Sequence, residues 1–172
     1  GSNMASVNFK GTPVKLGGTE VRVGEKAPEV EVTAQDLPAK KGGGAAGKAQ
    51  LLIAGPSLDT SVCATEARRF NNEAASISGA EVLVISMDLP FAAKRFCSTE
   101  GIKGLSTASD FRARKFAKAY GILIDEGPLA GLLCRAVFVV GKDGKLAYKE
   151  LVAEITQEPD YAAALQALKA AA

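Results

Sequence analysis

The chain has 172 residues, 47% of them apolar and 23% charged, which is the composition of a globular domain with a sizeable core. Its net charge of +2 is too small to indicate nucleic acid or a membrane surface as a partner. No apolar run approaches the roughly 20 residues that a membrane span needs. Residues 1–6 resemble an expression scar, and residues 7–172 are expected to form a single domain.

The sequence contains no histidine, which excludes Cys–His and Ser–His catalytic pairs and zinc sites that use histidine. The three cysteines are Cys63, Cys97 and Cys134, and they form no C-x-x-C pair. An odd number of isolated cysteines argues against a disulfide scaffold and against a four-thiolate zinc site. Any activation of a thiol must therefore come from backbone dipoles, a hydroxyl or an arginine.

The N-terminal third is predicted to be rich in β-structure. Residues 7–10 and 20–23 are interpreted as the two strands of a β-hairpin, and residues 30–33 as a further strand. Residues 40–48 are rich in Gly and Lys and are predicted to be a loop. The short apolar run at residues 51–54 is typical of a buried strand.

A helix is predicted soon after this strand. Asp59 or Thr60 is the expected N-cap, and apolar residues recur at spacings of three and four over residues 64–77. Cys63 then lies in the first turn, where free N–H groups and the positive end of the helix dipole stabilise an anion. From the residues alone, Cys63 is either a reactive nucleophile or a small buried hydrophobe, which is the usual state of a free cysteine.

The second half of the chain is predicted to continue the alternation of strands and helices. The expected elements are a strand at 82–87, a short helix at 91–97, a helix at 111–120 that ends at Gly121, a strand at 135–140, a turn at 141–144, a returning strand at 145–152 and a final helix at 159–170. This order of elements is that of a thioredoxin-like α/β sandwich.

Residues 42–48 fit the phosphate-loop pattern G-x-x-x-x-G-K, but their surroundings do not. Such a loop needs Ser or Thr in the next position to hold magnesium, and Ala49 stands there. It should also follow a strand, whereas this run precedes the predicted strand at 51–54. A flexible loop is the better interpretation, and nucleotide binding is rejected.

Four segments of the chain resemble one known family. Pro56, Thr60 and Cys63 match the Pro-x-x-x-Thr-x-x-Cys motif of peroxiredoxins. Segments 56–66, 88–97, 125–133 and 154–161 resemble the bacterial thiol peroxidases, which are the atypical two-cysteine group of that family. The resemblance covers about residues 7–169 in collinear order. It implies a thioredoxin-like α/β sandwich of the peroxiredoxin variant, with an N-terminal β-hairpin.

The resemblance also implies a role for each matching residue. Cys63 corresponds to the peroxidatic cysteine and Cys97 to the resolving cysteine. Pro56 is expected to shield the thiolate, Thr60 to hydrogen-bond the thiolate and the peroxide, and Arg135 to face the thiolate. The residues alone leave alternatives open. Cys97 is also consistent with a buried apolar residue on a helix face, and Arg135 is also consistent with an exposed charge at a strand end.

The implied function is a thiol-dependent peroxidase acting on hydrogen peroxide and on alkyl or lipid hydroperoxides, through a sulfenic acid and an intramolecular disulfide. By resemblance, thioredoxin is the reductant and the protein is a homodimer without a cofactor or a metal. A cytoplasmic location is expected because no signal peptide is visible, and the small net charge and lack of a long apolar run predict no nucleic-acid or membrane partner. Two alternatives are a thiol–disulfide oxidoreductase, which the wide separation of Cys63 and Cys97 disfavours, and a peroxide-sensing switch protein without significant turnover.

Three positions depart from the family pattern. Ala54 and Gly55 precede Pro56 where relatives carry larger side chains, which is expected to leave that side of the pocket less filled. Cys134 stands beside Arg135 where relatives carry a small residue without a thiol. Because side chains alternate along a strand, Cys134 is expected to point away from Arg135 as an inert core thiol.

Overall fold

The computed structural model describes residues 3–172, which form two sheets and four helices. The strands are β1 (Ser6–Phe9), β2 (Thr12–Gly17), β3 (Val30–Ala34), β4 (Ala39–Gly42), β5 (Ala49–Ala54), β6 (Ala80–Ser86), β7 (Ser106–Ser109), β8 (Leu123–Ile124), β9 (Ala136–Val140) and β10 (Leu146–Leu151). The helices are α1 (Ser61–Glu73), α2 (Pro90–Glu100), α3 (Lys115–Ala119) and α4 (Tyr161–Ala171). Gly1 and Ser2, the start of the expected expression scar, lie outside the described residues, and Ser6 belongs to β1.

The larger sheet has seven strands in the order β10-β9-β5-β6-β7-β3-β4. Its neighbours β5, β6 and β7 pair in parallel, whereas the other pairs are antiparallel. The smaller sheet has the order β1-β2-β8. Parallel strands require crossover connections, and α1 and α2 supply the two crossovers between β5, β6 and β7.

Helices cover both faces of the larger sheet, so that β5 is buried throughout. Leu51 and Ile53 point into a core that α1, α2 and α4 close, whereas Leu52 and Ala54 point into a core closed by α3 and the N-terminal hairpin. A strand that is buried on both sides needs apolar residues at every position, which the sequence of β5 supplies. The arrangement confirms the predicted thioredoxin-like α/β sandwich.

The N-terminal β-hairpin is confirmed, but its second strand was placed wrongly at residues 20–23. β1 pairs with β2 through a two-residue turn at Lys10 and Gly11, whose φ angles of 50° and 83° are those of a type I′ turn. Pro13 obscured β2 in the sequence. It lies in the half of β2 that β8 does not reach, and proline is tolerated where a strand has a free edge.

Three further boundaries differ from the sequence prediction. Part of the expected loop at residues 40–48 is the edge strand β4, whose lysines are typical of a protected sheet edge. The expected helix at 111–120 is shorter and corresponds to α3. Arg114 has a left-handed φ of 52°, and the Asp110 carboxylate accepts hydrogen bonds from the amides of Phe116 and Ala117 in the first turn of α3. Helix α1 ends at Glu73 rather than at residue 77. The short strands β7 and β8 were missed.

Candidate active site

Cys63 lies in the first turn of α1, shortly after a fully buried strand. The chain leaves β5 at Gly55 and passes through a turn in which Asp59 and Thr60 are exposed before the helix begins. Thr60 is the N-cap, with extended backbone angles of φ −90° and ψ 146°. The first amide groups of a helix have no partner inside it, and α1 has no acidic residue in its first turn. The positive end of α1 therefore acts on the Cys63 sulfur.

Arg135 is the charged partner of this sulfur. Its Nη1 atom donates a hydrogen bond to Cys63 Sγ at 3.1 Å, and its Nε atom donates to the carbonyl oxygen of Ile155 at 2.7 Å. Arg135 is only 2% exposed and Cys63 only 5%. The bond to Ile155 holds the guanidinium in place. The pair of Arg135 and Cys63 is largely withdrawn from water, and charges interact more strongly in such a buried site than in water. The arrangement suits a thiolate at Cys63.

Glu66, one helical turn after Cys63, is a further member of this buried group that the sequence analysis missed. Its Oε1 atom lies 3.5 Å from Arg135 Nη1, whereas its Oε2 atom is the one buried side-chain oxygen or nitrogen without a hydrogen-bond partner among residues 3–172. Burial raises the pKa of Glu66 to about 8, although the Arg135 charge opposes the rise. A protonated Glu66 leaves the Arg135 charge directed at the sulfur. Its spacing of three residues from Cys63 is the available sequence signal.

Pro56 and Thr60 flank the sulfur differently from each other. Pro56 is buried and lies two residues after the end of β5. Thr60 is exposed, and its Oγ1 atom donates to the carbonyl oxygen of Ser57 at 2.7 Å rather than to Cys63. The expected hydrogen bond from Thr60 to the sulfur is therefore replaced by one that closes the turn. The hydroxyl oxygen of Thr60 keeps its lone pairs for a group arriving from solvent.

Gly55 leaves no unfilled space beside the site, contrary to the expectation from the sequence. A Cβ atom at this position would lie 2.7 Å from Cys63 Sγ and 3.4 Å from Arg135 Nη1. The sulfur itself occupies the volume that a side chain would take. Ala54 points into the core on the other face of the sheet and does not line this pocket. The absence of a side chain at Gly55 is thus what lets the thiol reach Arg135.

Asp88 organises the loop before Cys63, and the sequence analysis assigned it no such role. Its carboxylate accepts hydrogen bonds from Ser57 Oγ at 2.7 Å, from the Leu58 amide at 2.7 Å and from Ser86 Oγ at 2.8 Å. Because Asp88 stands between β6 and α2, it ties the loop that carries Thr60 to the start of the helix that carries Cys97. The pattern Ser-x-Asp at the end of a buried strand was the signal available.

The other two cysteines are free thiols in different surroundings. Cys97 lies on α2, and its Sγ atom accepts a hydrogen bond from Gln35 Nε2 at 3.4 Å. Burial raises the pKa of Cys97, and hydrogen bonds from Gln35 and Thr107 oppose that rise. Cys134 lies in the core on the side of the sheet that holds Ala54, as expected, and burial raises its pKa to about 12. The structure joins Cys63 to Arg135 and leaves Cys97 with partners of its own.

The chain is similar to known proteins of one family. The Redoxin family model matches residues 22–165. The thiol peroxidase of Campylobacter jejuni is 63% identical over 92% of this chain and 90% of its own length, and that of Aquifex aeolicus is 53% identical over 91% and 92%. A crystal structure of a peroxiredoxin-like protein from Aquifex aeolicus superposes with a TM-score of 0.95 at 49% identity, with all of both chains covered.

A more distant structure, a thiol peroxidase from Chromobacterium violaceum, superposes with a TM-score of 0.83 over 97% of each chain at 22% identity and shows the shared fold alone. The chain belongs to the thiol peroxidase family of redoxins. Its relatives and its redoxin fold support a peroxidase function.

Two kinds of feature are absent from residues 3–172. None of the helices there combines the length and the apolar character needed to cross a membrane. No three Cys, Asp or Glu side chains in that part of the chain are grouped so as to hold a metal ion.

Proposed function

We propose that the protein reduces hydrogen peroxide and alkyl or lipid hydroperoxides with Cys63 as the peroxidatic thiol and Cys97 as the resolving thiol. The observation that carries the proposal is the 3.1 Å contact between Arg135 Nη1 and Cys63 Sγ at the positive end of α1. Backbone amides, a fixed guanidinium and burial together favour a sulfur anion, which is the nucleophilic form of cysteine.

In the first step the Cys63 thiolate attacks one oxygen of the hydroperoxide. The O–O bond breaks, the sulfur is oxidised by two electrons to a sulfenic acid, and the second oxygen takes up a proton and leaves as water or an alcohol. Negative charge develops on both oxygens as the bond breaks. Arg135, the first amides of α1 and the hydroxyl of Thr60 are the groups placed to stabilise it, while Pro56 keeps bulk water from the sulfur.

In the second step Cys97 attacks the sulfenic sulfur of Cys63. The S–O bond breaks, a disulfide forms between the two residues, and water leaves. A dithiol reductant, for which we propose thioredoxin, then exchanges the disulfide and returns both thiols. None of these steps uses a cofactor or a metal ion. We further propose that the working form is a homodimer in the bacterial cytoplasm.

Turnover with a recycling system tests the proposal. Peroxide reduction is followed through NADPH consumption with thioredoxin and thioredoxin reductase, once with hydrogen peroxide and once with an alkyl hydroperoxide. Cys63→Ser should abolish peroxide reduction, and Cys97→Ser should allow one turnover without an intramolecular disulfide. Cys134→Ser is the matched control and should turn over like wild type. Peroxide reduction that survives Cys63→Ser would overturn the assignment.

The same experiment separates the peroxidase from a peroxide-sensing switch. Both need a reactive Cys63, but a sensor is oxidised once and is not recycled at a rate that consumes peroxide. The peroxidase is preferred because the family's relatives are thiol peroxidases. Sedimentation of the reduced protein and cell fractionation test the homodimer and the cytoplasmic location separately.

A further inference from the structure

Gln35 makes a specific contact with Cys97. It follows β3 directly, and its Nε2 atom donates to Cys97 Sγ at 3.4 Å and to Thr107 Oγ1 at 2.6 Å. Thr107 lies on β7, and the register of β3 with β7 places these two residues next to each other across the end of the pair. Thr107 is only 3% exposed. The amide is therefore held by a buried hydroxyl while it donates to the sulfur.

The turn that carries Gln35 makes a second contact with the same helix. Asp36 Oδ1 lies 2.9 Å from Lys94 Nζ, and Lys94 precedes Cys97 on α2 by three residues. Residues three apart lie on the same face of a helix. The turn between β3 and β4 thus touches α2 at two positions on one face, one through the sulfur and one through an exposed ion pair.

Cys97 must leave this position to form a disulfide with Cys63. Cys63 follows β5, whereas Thr107 lies on β7, two strands further along the sheet, and Gln35 follows β3, three strands further along. Two to three strand spacings are about 10–14 Å, and the Cα atoms of a disulfide lie within about 7 Å of each other. The hydrogen bond from Gln35 therefore exists before resolution and is lost on the way to it.

We propose that Gln35, held by Thr107, is a positioning residue that retains Cys97 in its reduced place and slows its attack on the Cys63 sulfenic acid. This inference rests on the proposed role of Cys97 as the resolving thiol. A contact made in the starting state and absent from the transition state raises the barrier of a step. A slower resolution leaves the sulfenic acid exposed to a second peroxide for longer, so Gln35 also governs over-oxidation of Cys63 to the sulfinic acid.

Gln35→Leu tests the proposal, because leucine has a similar size and cannot donate. Protein is mixed with one equivalent of peroxide and quenched with a thiol alkylating agent, and Cys63 oxidation and disulfide formation are timed by mass spectrometry. The ratio of the rate of disulfide formation to that of Cys63 oxidation should rise about two- to tenfold, as expected for one lost hydrogen bond. Gln166→Leu, on the exposed face of α4, is the matched control.

A second measurement distinguishes the hydrogen bond from a general loosening of α2. Cys97 lines a cavity of about 420 Å³ whose charged groups are Asp36, Lys40 and Lys103, so an alkylating agent can approach the sulfur. In a Cys63→Ser, Cys134→Ser background, Gln35→Leu should move the pH midpoint of Cys97 alkylation upward, since a donor to the thiolate is lost. General loosening would move the midpoint downward, toward that of an exposed thiol.

An unchanged rate ratio or a lower midpoint overturns the proposal for Gln35. Thr107→Val removes the hydroxyl that holds the amide and that also bonds Cys97. It should act in the same direction, and it replaces Gln35→Leu in the test if that variant does not fold. A wild-type protein that forms no Cys63–Cys97 disulfide would instead overturn the proposed function. The alkylation midpoint of Cys97 still reports on Gln35 in that case, so the two failures are distinguishable.

Discussion

The Nη1 atom of Arg135 lies between two acidic partners, at 3.1 Å from Cys63 Sγ and 3.5 Å from Glu66 Oε1. One guanidinium cannot fully compensate two buried anions, so the Cys63 sulfur and the Glu66 carboxyl group compete for its charge. Burial raises the pKa of Glu66 to about 8, so the neutral form of this carboxyl group predominates at neutral pH and leaves the Arg135 charge to the sulfur.

Arg135→Ala should slow peroxide reduction by about 10²- to 10³-fold, which is typical for the loss of one preorganised group that stabilises developing charge. Arg135→Lys should recover only part of the loss, because lysine cannot bond the sulfur and the Ile155 carbonyl in the same geometry. Competition kinetics against a reference peroxidase measure the rate. The exposed Arg22→Ala is the control for a change in net charge, and a full rate in Arg135→Ala would contradict the site.

Glu66→Gln should change the pH dependence of stability. Burial raises the pKa of Glu66 to about 8 in the folded protein, whereas the pKa of this group in the unfolded chain is near its ordinary value of 4.5. Between these values the folded state binds more protons, so rising pH lowers the free energy of unfolding through Glu66. Glutamine removes this contribution.

The free energy of unfolding of wild type should therefore fall relative to that of Glu66→Gln as the pH rises from 5 to 8. Urea unfolding at several pH values measures it, with the exposed Glu73→Gln on the same helix as control. A difference that stays constant over this range would show that Glu66 ionises in the folded protein as it does in the unfolded chain.

Gly55→Ala should displace the thiol from Arg135, because the added Cβ would lie 2.7 Å from Cys63 Sγ. We expect a loss of peroxide reduction and a destabilisation of about 1–3 kcal/mol from overpacking. Gly42→Ala is the matched control, since its Cβ would meet Leu83 at 3.4 Å, an ordinary contact. Equal activity of the two variants would mean that the thiol does not need this space.

Asp88→Asn should loosen the loop before Cys63, since an amide cannot accept all the hydrogen bonds from Ser57, Leu58 and Ser86. We expect a destabilisation of about 1–3 kcal/mol and a fall in the rate of peroxide reduction of about tenfold from misplacement of the first turn. Asp59→Asn, an exposed change in the same loop, is the control. If both variants react at the wild-type rate, the loop is positioned without Asp88.

Cys134→Ser should turn over like wild type with thioredoxin, because burial raises the pKa of Cys134 to about 12 and leaves it a neutral thiol at working pH. Its stability should fall by about 1–3 kcal/mol, since serine buries a hydroxyl in an apolar core. Alkylation of the native wild-type protein at pH 8 should spare Cys134. A large loss of turnover would implicate this thiol in resolution.

The parts of the fold that were predicted correctly depend on local patterns. The apolar run of β5, the helix start at Thr60 and the hairpin of β9 and β10 are each specified by neighbouring residues. The strands that were missed have two to four residues and little apolar pattern of their own. β7 and β8 exist because β6, β3 and β2 offer them partners, and pairing of this kind is not encoded within a short window.

The sequence by itself determined the α/β class, the family resemblance and the placement of Cys63 at a helix start, since these depend on composition, periodicity and motif spacing. Only the tertiary structure decided the surroundings of the sulfur. Arg135 and Cys63 are 72 residues apart, Asp88 reaches Ser57 from the loop after β6, and Gln35 reaches Cys97 from a distant turn. Such contacts arise when packing of the two cores sets the strand order, and no local preference of the chain contains that information.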